Sequence, residues 1–149
     1  MALSTLLYGA FAFLAAFNAG AMATLQIQHY PLYPAVGASQ FKEYVRANNR
    51  AAVIPVIVPA ISLLLVSALL LIARPPFMSL GAATAAFALN VIQLVSTFVW
   101  QRRLQAEMAD TGYAEDKVRL LVSTNWIRTL AFLAEAVLAI ALFVRSAGG

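Results

Sequence analysis

The sequence predicts an all-α fold, a polytopic membrane protein built as an antiparallel four-helix transmembrane bundle. Three observations carry that prediction. Of 149 residues, 62% are hydrophobic and 11% charged, where a soluble domain carries about 25% charge. The apolar residues gather in four stretches, at about residues 3–28, 51–73, 77–101 and 118–144, each close to the ~20 residues that a spanning helix needs. The connections between them are short, so residues 1–149 read as a single transmembrane domain with little chain left for a soluble one.

The first stretch has small residues at Gly20-Ala21-Met22-Ala23 but no Lys or Arg ahead of it. A secretory signal opens on a positive region, and this run is long enough to span, so a retained helix is expected. Pro31 and Pro34 should stop it, because proline lacks the donor that a continuing helix requires. Tyr30 and Tyr33 suit the membrane–water interface. Residues 36–50 place Phe41, Tyr44 and Val45 at helical spacing beside Lys42, Glu43 and Arg46, which predicts a short amphipathic surface helix.

The second stretch contains Pro55 and Pro59, which loosen backbone bonds on one side of the helix; the freed carbonyls should face protein or water. Arg74-Pro75-Pro76 predicts a tight turn that makes the second and third helices antiparallel neighbours. The third helix should run on through Arg102 and Arg103 until Gly112 breaks it. The fourth should begin near Glu115-Asp116, where acidic groups suit a helix N-terminus.

Charge placement predicts orientation. Lys42, Arg46 and Arg50 fall between the first two helices, and Arg102, Arg103, Lys117 and Arg119 between the last two; the other side has Arg74 and Arg145. The positive-inside rule puts the richer side in the cytoplasm and both termini in the periplasm of a bacterial inner membrane. The pI near 9.9 then reflects orientation and contact with membrane lipids, and no nucleic-acid partner is expected. The chain has no cysteine and one histidine, His29. Disulfides, thiolate metal sites, Fe–S clusters and a self-contained multi-histidine metal site are therefore excluded, and neither a metal nor a cofactor is expected.

The polar residues inside the apolar stretches fall into two layers. Asn18, Asn90 and Glu135 lie about 15–20 Å from a helix end at 1.5 Å per residue, forming a midplane cluster. Gln26 and His29, Gln93 and Thr97, and Asn125 and Arg128 lie nearer the cytoplasmic ends, with Pro55 and Pro59 at similar depth. Lone amides and charges are costly in hydrocarbon, so both layers should face the bundle interior. Arg128 stands out: a charge at membrane depth costs about 2.5–3.5 kcal/mol on insertion scales and faces a partner or a cavity. Two readings stay open. The amides act as interhelical glue and Arg128 pairs with Glu135, or the outer layer forms a pocket in which Arg128 meets an anionic or polarised oxygen. Trp100 and Trp126 suit interface or packing positions.

Two local strings are more specific. One is Gln28-His29-Tyr30-Pro31-Leu32-Tyr33, followed by Val36-Gly37, Phe41, Tyr44 and Arg50; the other is Thr124-Asn125-Trp126-Ile127-Arg128-Thr129. Together they resemble a family of small bacterial four-helix membrane proteins related to the anthrone-oxygenase-like domain of unknown function. That resemblance covers nearly the whole chain in order. It implies a four-helix bundle and, more distantly, metal-free oxidation of an aromatic, lipophilic substrate at His29, Asn125, Trp126 and Arg128. Related proteins often carry a second histidine near Asn48–Asn49 and a basic residue near Glu135; this chain has neither.

Two functions follow as expectations. The first is a binding or accessory subunit that docks a larger membrane complex, associates with itself, or holds a lipophilic small molecule. The second is a cofactor-independent oxygenase-like enzyme acting on an aromatic or quinone-like substrate. There Asn125 and Arg128 would stabilise an oxyanion and His29 would accept a proton. The ligand-binding candidates are Gln26, His29, Gln93, Thr97, Asn125, Trp126 and Arg128, and the structural polar cluster is Asn18, Asn90 and Glu135.

Overall fold

Each long helix except the last changes its pitch near one end of the bundle. The computed structural model describes residues 3–147. Helix α1 spans Leu3–Thr24, widens to a π-helical turn at Leu25–His29 and ends in a 3-10 helix over Tyr30–Ala35. Helix α2 is Phe41–Ala51. A second π turn, Val53–Ile57, leads into α3, Val58–Ile72. Helix α4 spans Leu80–Ser96 and passes through a third π turn, Thr97–Gln101, into α5, Arg102–Thr111. Helix α6 runs unbroken from Glu115 to Ala147. The continuous runs Leu3–Ala35, Val53–Ile72, Leu80–Thr111 and Glu115–Ala147 are long and apolar enough to cross a membrane.

The four spans pack as a ring. Helix α1 contacts α3 and α6, and α4 contacts the same two. Their outward faces carry Phe13, Phe17, Ile61, Leu65, Val137 and Ile140, all exposed. An apolar mantle of this extent suits hydrocarbon and not water. Inside, one apolar cluster is built on Phe11, Met22, Leu63, Leu70 and Phe132. A second, at the end bearing α2 and the α5–α6 hairpin, is built on Tyr30, Tyr33, Phe41, Met108 and Leu121. That end carries the loop-borne basic residues and is called the basic end below.

Pro31 does not stop the first helix as expected. Pro31 falls in the first turn of a 3-10 helix, where its missing donor is not needed, so the chain stays helical to Ala35 and turns extended only at Val36. Around Pro55 the backbone winds as a π turn. The Ala52 carbonyl accepts from both Val56 N (3.0 Å) and Ile57 N (3.2 Å), and the bonding then continues one residue out of step.

Helix α4 starts at Leu80, three residues later than expected, because Ser79 Oγ accepts from Ala82 N at 3.2 Å and caps it. The amphipathic segment is helical only from Phe41. Gly112 ends α5 as expected, with φ +98°, the one positive φ among the described residues. Its Cα sits beside the Lys42 stem, where an added Cβ would lie 3.4 Å from Cε.

Candidate binding site

Between the two apolar clusters lie two hydrogen-bonded polar groups. The deeper one centres on Glu135, fully buried on α6. Asn90 Nδ2 donates to Glu135 Oε1 (2.5 Å), and Gln93 Nε2 donates to Glu135 Oε2 (3.2 Å). Asn90 Nδ2 also reaches Ser67 Oγ on α3 and its own helix at Ala86 O, each at 3.1 Å. Glu135 thus ties α6 to α4, and Asn90 carries the link on to α3.

The second group lies about two to three turns toward the basic end. Arg128 Nη1 donates to Asn125 Oδ1 (3.3 Å), Asn125 Nδ2 donates to Gln26 Oε1 (2.8 Å), and Gln26 Nε2 donates to the Val122 carbonyl (3.1 Å). This relay joins α6 to the π turn of α1. The Tyr30 hydroxyl adjoins the Arg128 guanidinium and accepts from Gln105 Nε2 at 3.2 Å. Gln101 Nε2 donates to Thr124 Oγ1 at 3.0 Å.

Arg128 is 6% exposed, yet no carboxylate pairs with it among the described residues. Its Nε has no hydrogen-bond partner, and neither has Gln101 Oε1. A buried donor or acceptor left unsatisfied costs about 1–3 kcal/mol, and more when the group is charged.

Both residues line a cavity of about 600 Å³ between the α3 side and the α4–α5 side of the bundle. That volume falls within the roughly 300–1,000 Å³ usual for small-molecule sites. The cavity exists because the second and third spans pack through α3 and α4 but splay beyond them. Among the described residues, the π turns Val53–Ile57 and Thr97–Gln101 make no contact with each other. Its mouth is framed by Val53, Ile57, Ile61 and Phe98, which are exposed on the outside of the bundle. Its polar end carries Asn48, Asn49, Gln101 and Gln105, and its deep end Asn90 and Gln93. Among the described residues no three carboxylate or imidazole groups lie close enough to share a metal ion.

The structure brings some of the expected residues together and separates others. Gln93, Thr97 and Arg128 line the cavity. Gln26 and Asn125 stand behind the wall and hold Arg128 from the back. Trp126 is 44% exposed on the outer face of α6, one residue out of step with Asn125, and takes no part. His29 is also outside the wall; its ring packs among Tyr30, Tyr33 and Tyr44, and its buried Nε2 has no partner.

The Arg128–Glu135 ion pair of the first reading does not form; Asn90 and Gln93 are the partners of the two carboxylate oxygens instead. Asn18 is buried but bonds back to Leu14 O (2.8 Å), so it shares no hydrogen bond with Asn90 or Glu135. Pro55 and Pro59 do not line the wall; Val56, Ala60 and Leu64 do. An extra residue in the π turn rotates the helix face by about 100°.

Sequence reasoning missed Tyr30, Asn48, Gln101 and Gln105. Gln93, Thr97, Gln101 and Gln105 recur every four residues, a stripe that was available to find the last two. No family model, curated protein or solved structure matches the chain.

Proposed function

We propose that this protein is a multi-pass membrane protein of the bacterial inner membrane that binds a lipophilic molecule from the side, between its second and third spans. The observation that carries the reading is Arg128, buried in the cavity wall with no acidic partner and one N–H unbonded. An anionic or strongly polarised oxygen on the ligand would supply what the protein does not, since a fixed charge at membrane depth faces a partner or a cavity. The apolar wall suits the ligand's body, and the exposed mouth residues suit access from the lipid. Both termini are periplasmic in this proposal, on the strength of the loop charges. Kinship with the anthrone-oxygenase-like family belongs to the same proposal and rests on the sequence strings alone; two residues of the second string, Asn125 and Arg128, meet in the relay that holds the cation in the wall. Docking to a larger complex would extend the same role, with the bound molecule passed to a partner.

The test is gentle purification in detergent followed by native mass spectrometry, for the wild-type protein and for Arg128→Lys. Lysine keeps the charge but loses the planar fork. The expected result is a bound lipophile in the wild type that Arg128→Lys loses while eluting as a folded species. A wild-type protein free of any bound lipophile, and unable to take one up from mixed lipid vesicles, would overturn the reading.

A further inference from the structure

The deep end of the cavity has its chemistry set by a residue that does not line it. Glu135 is 0% exposed and lies behind Asn90 and Gln93, which are 3% and 4% exposed and form part of the wall. Both Glu135 oxygens accept, one from each amide, so both amides must turn their nitrogens toward Glu135. Asn90 Nδ2 is further committed to Ser67 Oγ and Ala86 O. Among the described residues no donor reaches Asn90 Oδ1 or Gln93 Oε1. The groups that this pair has left to offer an occupant are therefore two acceptors. The other end of the cavity offers the Arg128 cation. Seven residues of α6 separate Arg128 from Glu135, about 10 Å along the axis, and Val56, Ala60, Leu64 and Phe132 supply apolar wall.

Resting on the binding reading above, we propose that the occupant is a bifunctional lipophile. An acidic or polarised oxygen meets Arg128, and a hydroxyl several bonds further along an apolar body donates to an amide oxygen of the Asn90–Gln93 pair. Glu135 is a positioning residue: it never touches the occupant but decides that the pair reads a donor and not an acceptor. A hydroxylated long-chain acid has this pattern of groups.

The probes are ω-hydroxy fatty acids of graded chain length and the ω-methoxy counterpart of each, with binding read by calorimetry on protein in nanodiscs. A methoxy group cannot donate, so it leaves the amide acceptors unsatisfied, at about 1–3 kcal/mol. At one chain length the hydroxy acid should therefore bind about tenfold tighter than its methoxy partner. Glu135→Gln has one acceptor oxygen and one amide nitrogen, which forces a neighbouring amide to reverse. It should bring the hydroxy-to-methoxy ratio close to one, while the affinity for the plain fatty acid stays within about twofold. Gln93→Met, which removes an acceptor at similar volume, should lower the same ratio, so the inference does not hang on one variant's folding. Equal binding of hydroxy and methoxy acids at every length, with Arg128→Lys still weakening both, would overturn the inference and leave the binding reading intact. A wild-type protein that binds none of these acids, while native mass spectrometry still finds a lipophile on it, would also overturn the inference. A protein that holds no lipophile by either measurement overturns both.

Discussion

Arg128 and Glu135 lie two turns apart on α6 and belong to different networks: Glu135 accepts from Asn90 and Gln93, while Arg128 donates to Asn125. Two opposite charges buried on one helix thus leave each other unpaired. The acidic member is saturated by amides from α4, whereas the basic member keeps unused bonding capacity beside a cavity. A structural ion pair would have left neither available.

The separation can be measured by double-mutant cycles on unfolding in detergent. Asn90→Ala with Glu135→Ala should show an interaction energy of about 0.5–3 kcal/mol, because the two side chains are directly bonded. Asn125→Ala with Glu135→Ala should be additive within about 0.5 kcal/mol, since they are ten residues apart on α6 and share no partner. Strong coupling in the second cycle would merge the two networks into one.

Gln26→Leu should destabilise the protein by about 1–3 kcal/mol, because Asn125 then loses the acceptor for its amide N–H in a fully buried position. The same variant should weaken ligand capture although Gln26 is not on the cavity wall, since Asn125 is what orients Arg128. Unfolding midpoint and lipophile occupancy by native mass spectrometry read the two effects separately. Unchanged occupancy would show that Arg128 does not depend on its support from behind.

Gly112→Ala should cost about 1–3 kcal/mol. With φ +98° and ψ −166°, this residue lies in a region open almost solely to glycine, and the new Cβ would also crowd the Lys42 stem. Thermal unfolding in detergent gives the value. A neutral result would mean that the α5–α6 turn relaxes into a different form.

Phe41→Ala should cost about 3–5 kcal/mol, the range for an aromatic removed from a packed core. Phe41 is fully buried and meets the rings of Tyr33 and Tyr113 edge-on, at 5.7 and 5.3 Å between centroids. Limited proteolysis should then cut near residues 36–40, as α2 loses its hold on the bundle. Resistance to cleavage would show that Val45 suffices to anchor it.

The spans, the hairpin turns and the inward face of most polar residues were legible in the sequence, because each follows from a local rule. Length and hydropathy mark a span, Gly112 marks a break, and the offsets of Asn90, Gln93 and Thr97 mark one face of a helix. The pairing of those residues was not legible. Glu135 could have bonded Arg128, Asn18 or the amides of α4, and only the packing of α4 against α6 selects the last. The cavity was hidden for a different reason. It depends on three π turns, and a face drawn at a regular helical pitch misplaces whatever lies beyond one. The prolines at 55 and 59 were assigned to the wall by depth and by their freed carbonyls, and they fall off it. Trp126 was included through its neighbours in the string and excluded by a rotation of one residue.

The three π turns also have a consequence for how the chain tolerates insertions and deletions. Each holds about one residue more than a regular helix would use over the same rise. Removing a single residue from Leu25–His29, Val53–Ile57 or Thr97–Gln101 restores regular winding and turns everything beyond it by about 100°. In α1 that would carry Tyr30 away from Arg128; in the other two it would reorient the cavity wall. A bundle of this size can thus lose its site through a one-codon gap with no substitution at any residue that lines it. Homologues of different function would then be separated by where their alignments gap as much as by which residues they share.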